Sequence, residues 1–133
     1  MNRTIAVTIA TIATVLATPA FADSRTDLLA QYATAAQSTG FSAARGQTLH
    51  TRSFAGGKAD TPACTACHGN DSRGSGRTPT GKAIDAVAIS VTPTRYTNPA
   101  KVEKWFKRNC IEVLGRECTP QEKGDWLTYV ISQ

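Results

Sequence analysis

No stretch of the sequence is long and apolar enough to span a membrane. A transmembrane helix needs about 20 mostly apolar residues, whereas the longest apolar stretch, residues 5–17, is shorter and is interrupted by threonines. It follows the basic residue Arg3 and precedes the small-residue cleavage motif Ala20-Phe21-Ala22. These features indicate a cleaved secretory signal peptide over residues 1–22, and they leave residues 23–133 as one exported domain without a membrane anchor.

Methionine, histidine and aromatic residues are scarce. The one methionine is Met1, so the exported chain has none, and its only histidines are His50 and His68. Aromatic residues make up 7% of the sequence, so the 111 residues left after removal of 22 from 133 should form a thin core. We therefore expect a cofactor or a disulfide to contribute to stability, because exported cysteines either pair or carry a cofactor.

The charge balance is moderately basic. The net charge is +5 for the whole sequence and +4 once Arg3 is removed with the signal peptide. The basic residues are dispersed along the chain and are not interleaved with aromatic residues as in a stacking platform. Nothing in this pattern predicts a nucleic-acid partner.

Periodicity and capping signals predict four helices and no pair of strands. The first helix should begin at Ser24, with Asp27 completing a capping box, and end at Gly40. The second should cover residues 43–50. Residues 69–82 lack hydrophobic side chains, which predicts a long surface loop.

The two C-terminal helices carry the clearest signals. Asn98 should cap the third helix, a proline follows it, and Gly115 should end the helix. Thr119 should cap the fourth helix, which also starts with proline and has Glu122 in position to complete a capping box. Together the four segments predict a small all-α domain.

One motif carries chemistry: Cys64-Thr65-Ala66-Cys67-His68, the C-x-x-C-H sequence at which c-type haem is attached. Two cysteines three positions apart lie on one helical turn and can reach both vinyl groups at one porphyrin edge, and the histidine is then the axial iron ligand. A thioredoxin-like dithiol would need a βαβ setting, and a zinc site would need about four ligands at other spacings. We predict one covalent haem c held by Cys64, Cys67 and His68.

The ligand on the other side of the iron determines the function. A His/Met electron carrier is excluded because methionine is absent, which leaves His50, Asn109, a lysine or an open position. His50 either packs near the surface on the second helix or is a second axial histidine. Asn109 shares the apolar face of the third helix, where an unpaired buried amide would cost about 1–3 kcal/mol. Its partner is then either a backbone group near the helix end or the iron.

A second pair of cysteines, Cys110 and Cys118, flanks the end of the third helix. No histidine follows Cys118, so this pair does not form a second haem-attachment motif. In an oxidising compartment we expect a disulfide, which closes a loop worth about 2.6 kcal/mol in the chain-entropy model. This disulfide would fix the end of the third helix and therefore the position of Asn109. The alternative is that Cys110 and Cys118 are two buried free thiols.

Several segments resemble the sphaeroides-haem-protein family of oxygen-binding cytochromes c. The most specific is Arg108-Asn109-Cys110 with the second cysteine eight positions later, whereas C-x-x-C-H is common to all cytochromes c. The remaining segments are residues 60–64, 80–82, 102–105 and 115–120. The resemblance covers nearly all of residues 23–133.

This resemblance implies a class I cytochrome c fold, with about four helices around one covalent haem. His68 matches the proximal ligand, Asn109 matches the sixth ligand of the oxidised form, and Cys110 and Cys118 match a disulfide beside the haem. In such proteins the asparagine leaves the iron on reduction, the iron binds oxygen, carbon monoxide or nitric oxide, and the electron donor is a dihaem cytochrome c. His50 departs from the pattern, which has an aromatic or apolar residue there.

Coordination chemistry agrees with the release of the asparagine on reduction, because a hard amide oxygen binds ferric iron better than ferrous iron. We predict a periplasmic cytochrome that accepts an electron and then binds a diatomic gas, rather than an enzyme. The alternative is a simple electron-transfer cytochrome ligated by His50 and His68. Reductive chemistry on peroxide or nitric oxide would need a distal acid–base group, for which His50 is the one candidate. The basic residues of the polar loop either form a solvated surface or face the haem propionates or an acidic redox partner: Arg73, Arg77 and Lys82.

Overall fold

Helices dominate the computed structural model, which describes residues 23–133. In chain order the elements are α1 (Ser24–Ala36), α2 (Ala43–Thr51), α3 (Thr65–His68), β1 (Gly76–Arg77), β2 (Ala83–Ile84), α4 (Pro99–Leu114) and α5 (Pro120–Ile131). The predicted signal peptide lies outside the described residues. None of the described helices combines the length and apolar character needed to cross a membrane.

Helix α5 is the central packing element. It contacts both α2 and α1, and α1 also contacts α4. Leu28 of α1 and Leu127 and Val130 of α5 are completely buried, and Val87, from the segment between β2 and α4, joins the same core. Burial of apolar surface stabilises the fold by about 25 cal/mol per Å², so these contacts fix how the N-terminal helices lie on α5.

A glycine and a buried carboxylate hold α2 against α5. A Cβ atom at Gly46 would overlap the backbone carbonyl of Asp125, so the two helices approach closely only because that position is glycine. The Asp125 carboxylate accepts hydrogen bonds of 2.7 Å from the backbone N–H of Ser42 and from the guanidinium of Arg45. This crossing sets the position of His50, one turn further along α2.

The helix signals in the C-terminal half are confirmed. The Asn98 side chain accepts a 3.0 Å hydrogen bond from the backbone N–H of Lys101, and α4 ends at Gly115 in the left-handed conformation, with φ 75°. Both halves of the α5 capping box, Thr119 and Glu122, are present.

Helix α1 begins at Ser24 as predicted, but its capping residue and its end differ from the prediction. Its N-cap is Asp23 rather than Ser24, since the Asp23 side chain accepts the hydrogen bond from the second helical N–H. The helix ends at Ala36, before Gly40, because Gln37 adopts the left-handed conformation with φ 51° and closes the last turn. An aspartate and a serine in succession can both cap a helix, and the sequence did not distinguish them.

Two expectations about the middle of the chain are wrong. The C-x-x-C-H motif forms its own one-turn helix, α3, so there are five helices rather than four. The polar segment also pairs with its continuation in a two-residue antiparallel ladder, with Gly76 opposite Ile84. Ser72 and Gly76 are buried, so the segment is not wholly a surface loop. A ladder this short depends on contact with α3, which sequence periodicity does not report.

Candidate haem site

The attachment motif is built on a single helical turn. The carbonyl of Cys64 accepts hydrogen bonds from the backbone N–H groups of Cys67, at 3.2 Å, and of His68, at 3.0 Å. Both thiols are free. Burial raises the pKa of Cys64 to about 11 and also raises the pKa of Cys67. Two neutral thiols one turn apart can both reach the edge of one macrocycle.

Two glycines frame this turn. Gly69, immediately after His68, ends α3 in a positive-φ conformation (φ 72°). A Cβ at Gly76 would overlap the carbonyl oxygen of Cys67, so β1 lies directly against the motif. The turn that carries both thiols is therefore fixed at its end and along one side.

His68 is a neutral imidazole. Burial, together with the neighbouring His50 and Arg95, lowers its pKa to about 4. Its Nδ1 atom is fully buried and has no hydrogen-bond partner among the described residues. An uncharged imidazole is the form that binds a metal ion.

His50 is not near the surface, contrary to the first of the two interpretations given to it. Its exposed fraction is 0%, and its ring centroid lies 6.2 Å from that of His68 and 5.7 Å from that of Tyr129. The indole N–H of Trp126 donates a 3.2 Å hydrogen bond to His50 Nδ1. The group that covers this face of α2 comes from a helix 76 residues later, so local periodicity could not reveal the burial.

The backbone around Gly69 is the other neighbour of His50. Burial lowers the pKa of His50, and the Gly69 backbone opposes that shift. The His50 ring therefore lies beside the backbone of the residue that follows His68.

Asn109 lies on an exposed edge of α4, where we expected burial on the apolar face. Within residues 23–133 its amide makes no hydrogen bond, so the predicted backbone partner is absent, and no hydrogen bond or ring contact joins it to α3. Trp105, one turn earlier on the same edge, is 43% exposed. The buried face of α4 instead comprises Val102, Phe106, Cys110, Val113 and Leu114.

The disulfide between Cys110 and Cys118 is confirmed. The two Cα atoms are 5.5 Å apart, and both side chains are buried in the core. The bond ties the last turns of α4 to the segment that precedes α5. It therefore anchors the residue next to Asn109.

Arg95 is a site residue that the sequence analysis missed. Its Nε atom is buried and has no partner among the described residues, while its Nη2 donates a 2.7 Å hydrogen bond to the carbonyl of Asp85. Its charge lowers the pKa of His68, which puts the guanidinium beside the motif. Arg95 lies in an irregular segment, so no periodic signal could have identified it. The basic residues of the polar segment are all exposed, as expected for a solvated surface: Arg73, Arg77 and Lys82.

These residues fit a haem. Buried polar groups are normally hydrogen-bonded, yet unpaired atoms of His50, His68 and Arg95 occur together around α3. A haem brings two vinyl groups for the thiols, an iron for the neutral imidazole, and propionates that a guanidinium binds well.

The chain is similar to proteins of a known family and known structure. Residues 36–130 match a family described as a domain of unknown function, DUF1924. The chain is 48% identical over 124 residues to cytochrome c-type protein SHP of Cereibacter sphaeroides, covering 92% of this chain and 95% of that protein. The solved structure of oxidised SHP, described as an oxygen-binding cytochrome c, aligns with a TM-score of 0.79, covering 82% of this chain and 96% of that one.

A second relative is cytochrome c'' of Methylophilus methylotrophus. It is 33% identical over 89 residues, which are 66% of this chain and 62% of that protein. The crystal structure of its oxidised form aligns with a TM-score of 0.73 at 28% identity, covering 83% of this chain and 94% of that one. A solution structure of the same protein, with a TM-score of 0.70, concerns the structural basis of haem-ligand detachment. The predicted all-α cytochrome c fold is confirmed.

Proposed function

The chain belongs to the sphaeroides-haem-protein family of monohaem c-type cytochromes, and on that premise we propose that it is a periplasmic cytochrome whose reduced haem binds a diatomic gas. The gas is oxygen, carbon monoxide or nitric oxide. The observation that carries the proposal is an exposed asparagine that has no hydrogen-bond partner among residues 23–133 and is held beside a disulfide, in a chain whose one methionine, Met1, falls in the predicted signal peptide.

The cofactor is one covalently attached haem c, which supplies a redox-active iron with two axial positions. Cys64 and Cys67 would hold it through thioethers, and His68 would be the proximal ligand. Arg95, whose Nε is buried and unpaired, would bind a propionate. These side chains position the group and leave the opposite face to α4.

Asn109 would be the sixth ligand of the oxidised form. Its amide oxygen is hard and uncharged, so it should bind ferric iron better than ferrous iron and leave on reduction. Its side chain makes no protein hydrogen bond that would have to break before it binds, and the Cys110–Cys118 bond fixes the adjacent backbone. Trp105, exposed one turn away on the same edge, would be covered by the same cofactor.

His50 is the less suitable sixth ligand. It is completely buried and lies beside the Gly69 backbone, so its ring would have to move before it could hold the iron. Its Nδ1 is also occupied by the Trp126 indole N–H. This arrangement favours the gas-binding function over a bis-histidine electron carrier.

The electron that opens the site would come from a partner cytochrome, for which we propose a dihaem cytochrome c. After loss of the signal peptide the chain carries a net charge of +4. This charge would attract an acidic donor at low ionic strength, and attraction between opposite charges raises association rates.

Absorption spectra of the purified protein, oxidised and reduced, with carbon monoxide added to the reduced form, test the proposal. We expect a low-spin ferric form that becomes high-spin on reduction and then takes up carbon monoxide. Asn109→Ala should abolish the low-spin ferric spectrum, whereas Lys104→Ala, an exposed change on the same helix, should preserve it. A low-spin spectrum that survives Asn109→Ala but disappears in His50→Phe would make this a bis-histidine electron carrier.

A further inference from the structure

A continuous row of rings leads from the outside of the domain to the attachment motif. Tyr32 contacts Phe106 at 6.1 Å between ring centroids, and Phe106 contacts Trp126 at 5.5 Å, both edge-on. The Trp126 indole N–H donates a 3.2 Å hydrogen bond to His50, whose ring centroid lies 6.2 Å from that of His68. We call these side chains the aromatic path. Each of the five helices contributes one member of the path.

The outer end of the path is a tyrosine bonded to a carboxylate. The hydroxyl of the buried Tyr32 donates a hydrogen bond to Glu103 Oε1. Lys123 donates a 2.6 Å hydrogen bond to the other oxygen of the same carboxylate. Burial raises the pKa of Glu103, but the hydrogen bonds from Lys123 and Tyr32 outweigh it and keep that pKa below its ordinary value. Glu103 is therefore ionised, and its side chain is 44% exposed, so a proton that it receives can pass to water.

The other two tyrosines of residues 23–133 have no such base. The Tyr96 hydroxyl donates a 2.9 Å hydrogen bond to the backbone carbonyl of Val87, which is too weak a base to remove the proton. Tyr129 is buried beside His50, and no carboxylate in the described part of the chain accepts a hydrogen bond from its hydroxyl. A neutral tyrosine gives up an electron readily only when a positioned base takes its proton at the same time. Tyr32 is therefore the tyrosine best placed to be oxidised.

We propose that Tyr32 supplies an electron through the aromatic path when peroxide reacts at the haem, while Glu103 takes the proton of the tyrosine. The proposal rests on the proposed function in one respect, a haem at His68 whose reduced iron has an open position. The oxidant is hydrogen peroxide, which forms when superoxide released from an oxygen-bound ferrous haem disproportionates. A protein that binds oxygen therefore meets this oxidant at its own site.

Electrons and protons balance in this step. Reduction of hydrogen peroxide to two molecules of water breaks the O–O bond and takes two electrons and two protons. One electron comes from the iron, which passes from ferrous to ferric, and the other comes from Tyr32, which becomes a neutral phenoxyl radical. The O–H bond of Tyr32 breaks, and its proton passes to Glu103 and from there to water. Solvent supplies the second proton.

Trp126 divides the route into two shorter transfers. An indole is oxidised far more easily than the phenyl ring of Phe106, so the electron that leaves Tyr32 crosses Phe106 and fills a vacancy on Trp126. Two short transfers are faster than one long transfer, because the rate of electron tunnelling falls exponentially with distance. Edge-on contacts with Phe106 and Tyr96 hold the indole in place. The oxidising equivalent is thereby moved away from the haem and from Asn109, which protects both from damage.

Electron paramagnetic resonance of freeze-quenched samples tests the proposal. The reduced haem protein is mixed with one equivalent of hydrogen peroxide and should show a tyrosyl radical, whose hyperfine pattern changes when the tyrosines are ring-deuterated. Tyr32→Phe should lose this signal. Tyr96→Phe is the matched control, since Tyr96 also contacts Trp126 but lacks a carboxylate partner, and it should keep the signal. A tyrosyl signal that survives Tyr32→Phe, or wild-type protein that consumes peroxide without forming one, would overturn the proposal.

Two further variants test the base and the intermediate stop. Glu103→Gln still accepts a hydrogen bond but cannot take a proton, so the Tyr32 radical should be lost. Trp126→Phe keeps an aromatic ring but removes the easily oxidised indole, and should also lose it. The absorption spectrum of each oxidised variant shows whether its haem site is intact. Haem absorbance should bleach faster with added peroxide in Tyr32→Phe than in Tyr96→Phe, and equal bleaching would refute protection by Tyr32.

Carbon monoxide uptake, recorded on the same reduced samples, tests the proposed function separately. If the reduced haem takes up neither carbon monoxide nor peroxide, photogenerated tris(bipyridine)ruthenium(III) replaces peroxide, because this one-electron oxidant needs no open iron position. A radical at Tyr32 that is lost in Glu103→Gln and Trp126→Phe would then support the aromatic path although the gas-binding function had failed. Oxidation that ends on any other side chain would refute the path.

Discussion

At the residue scale, the environment of His68 is set by side chains that are distant in sequence. His50 comes from α2, Trp126 from α5, and Arg95 from the segment before α4. The C-x-x-C-H motif predicts His68 as the iron ligand, because covalent attachment requires a fixed local spacing. Its neighbours were not, because no local pattern records which distant residue covers a given ring.

Arg95 gives a prediction at this scale. Arg95 is half-buried, and a positive charge beside the haem would disfavour the ferric state more strongly than a fully exposed one, because burial weakens solvent screening. We therefore expect Arg95→Gln to lower the reduction potential in a spectroelectrochemical titration. Arg73→Gln, which removes an exposed loop charge, is the matched control and should shift the potential less. Equal shifts in the two variants would show that Arg95 has no special relation to the haem.

At the element scale, the crossing of α2 and α5 decides where His50 lies. Gly46 permits the close approach, and the Asp125 carboxylate joins the N-terminal turn of α2 to α5. The start of α5 followed from its local capping signals, but the crossing did not. From the sequence alone, a glycine within a helix indicates only a weak helical propensity. The Asp125 carbonyl, which leaves no room for a Cβ atom at position 46, explains why glycine is there.

The crossing can be tested with a pair of glycine substitutions. Gly46→Ala should lower the free energy of unfolding by about 1–2 kcal/mol, since overpacking costs about 1–3 kcal/mol and outweighs the gain of about 1 kcal/mol in helical propensity. Urea denaturation followed by circular dichroism measures this. Gly40→Ala is the control, because a Cβ there meets no atom within 4 Å. A Gly46→Ala variant as stable as Gly40→Ala would mean that the helices separate at little cost.

Among the other elements, those determined by local sequence signals were predicted and those determined by long-range packing were not. Helices α4 and α5 were predicted with their caps because each begins with a capping residue followed by proline. The ladder of β1 and β2 and the one-turn helix α3 were missed. Segments of two to four residues have too little periodicity to be recognised, and they form here because they pack on one another.

At the scale of the whole molecule, a domain with few aromatic residues relies on covalent links. One disulfide is formed, and two thiols remain free for attachment of a cofactor. A disulfide forms in an oxidising compartment, and the proposed haem attachment would take place there too. Both links therefore agree with the predicted signal peptide.

Intact mass spectrometry of the exported protein tests this organisation. We expect a polypeptide of residues 23–133, increased in mass by a single haem and decreased by the two hydrogens of one disulfide. A mass that includes residues 1–22 would contradict cleavage after Ala22. A polypeptide without added haem would contradict attachment at Cys64 and Cys67, while treatment with a thiol reductant should restore only the two hydrogens.

The sequence by itself determined the cysteine pair and the two C-terminal helices, and it predicts the haem-attachment site and the export signal. Each depends on residues close together in the chain, whose spacing has a direct chemical or conformational meaning. Tertiary structure decided the burial of His50, its hydrogen bond from Trp126, the place of Arg95 and the outward direction of Asn109. Those properties depend on which helix covers which face, and long-range packing of α5 against the N-terminal half of the domain fixes that arrangement.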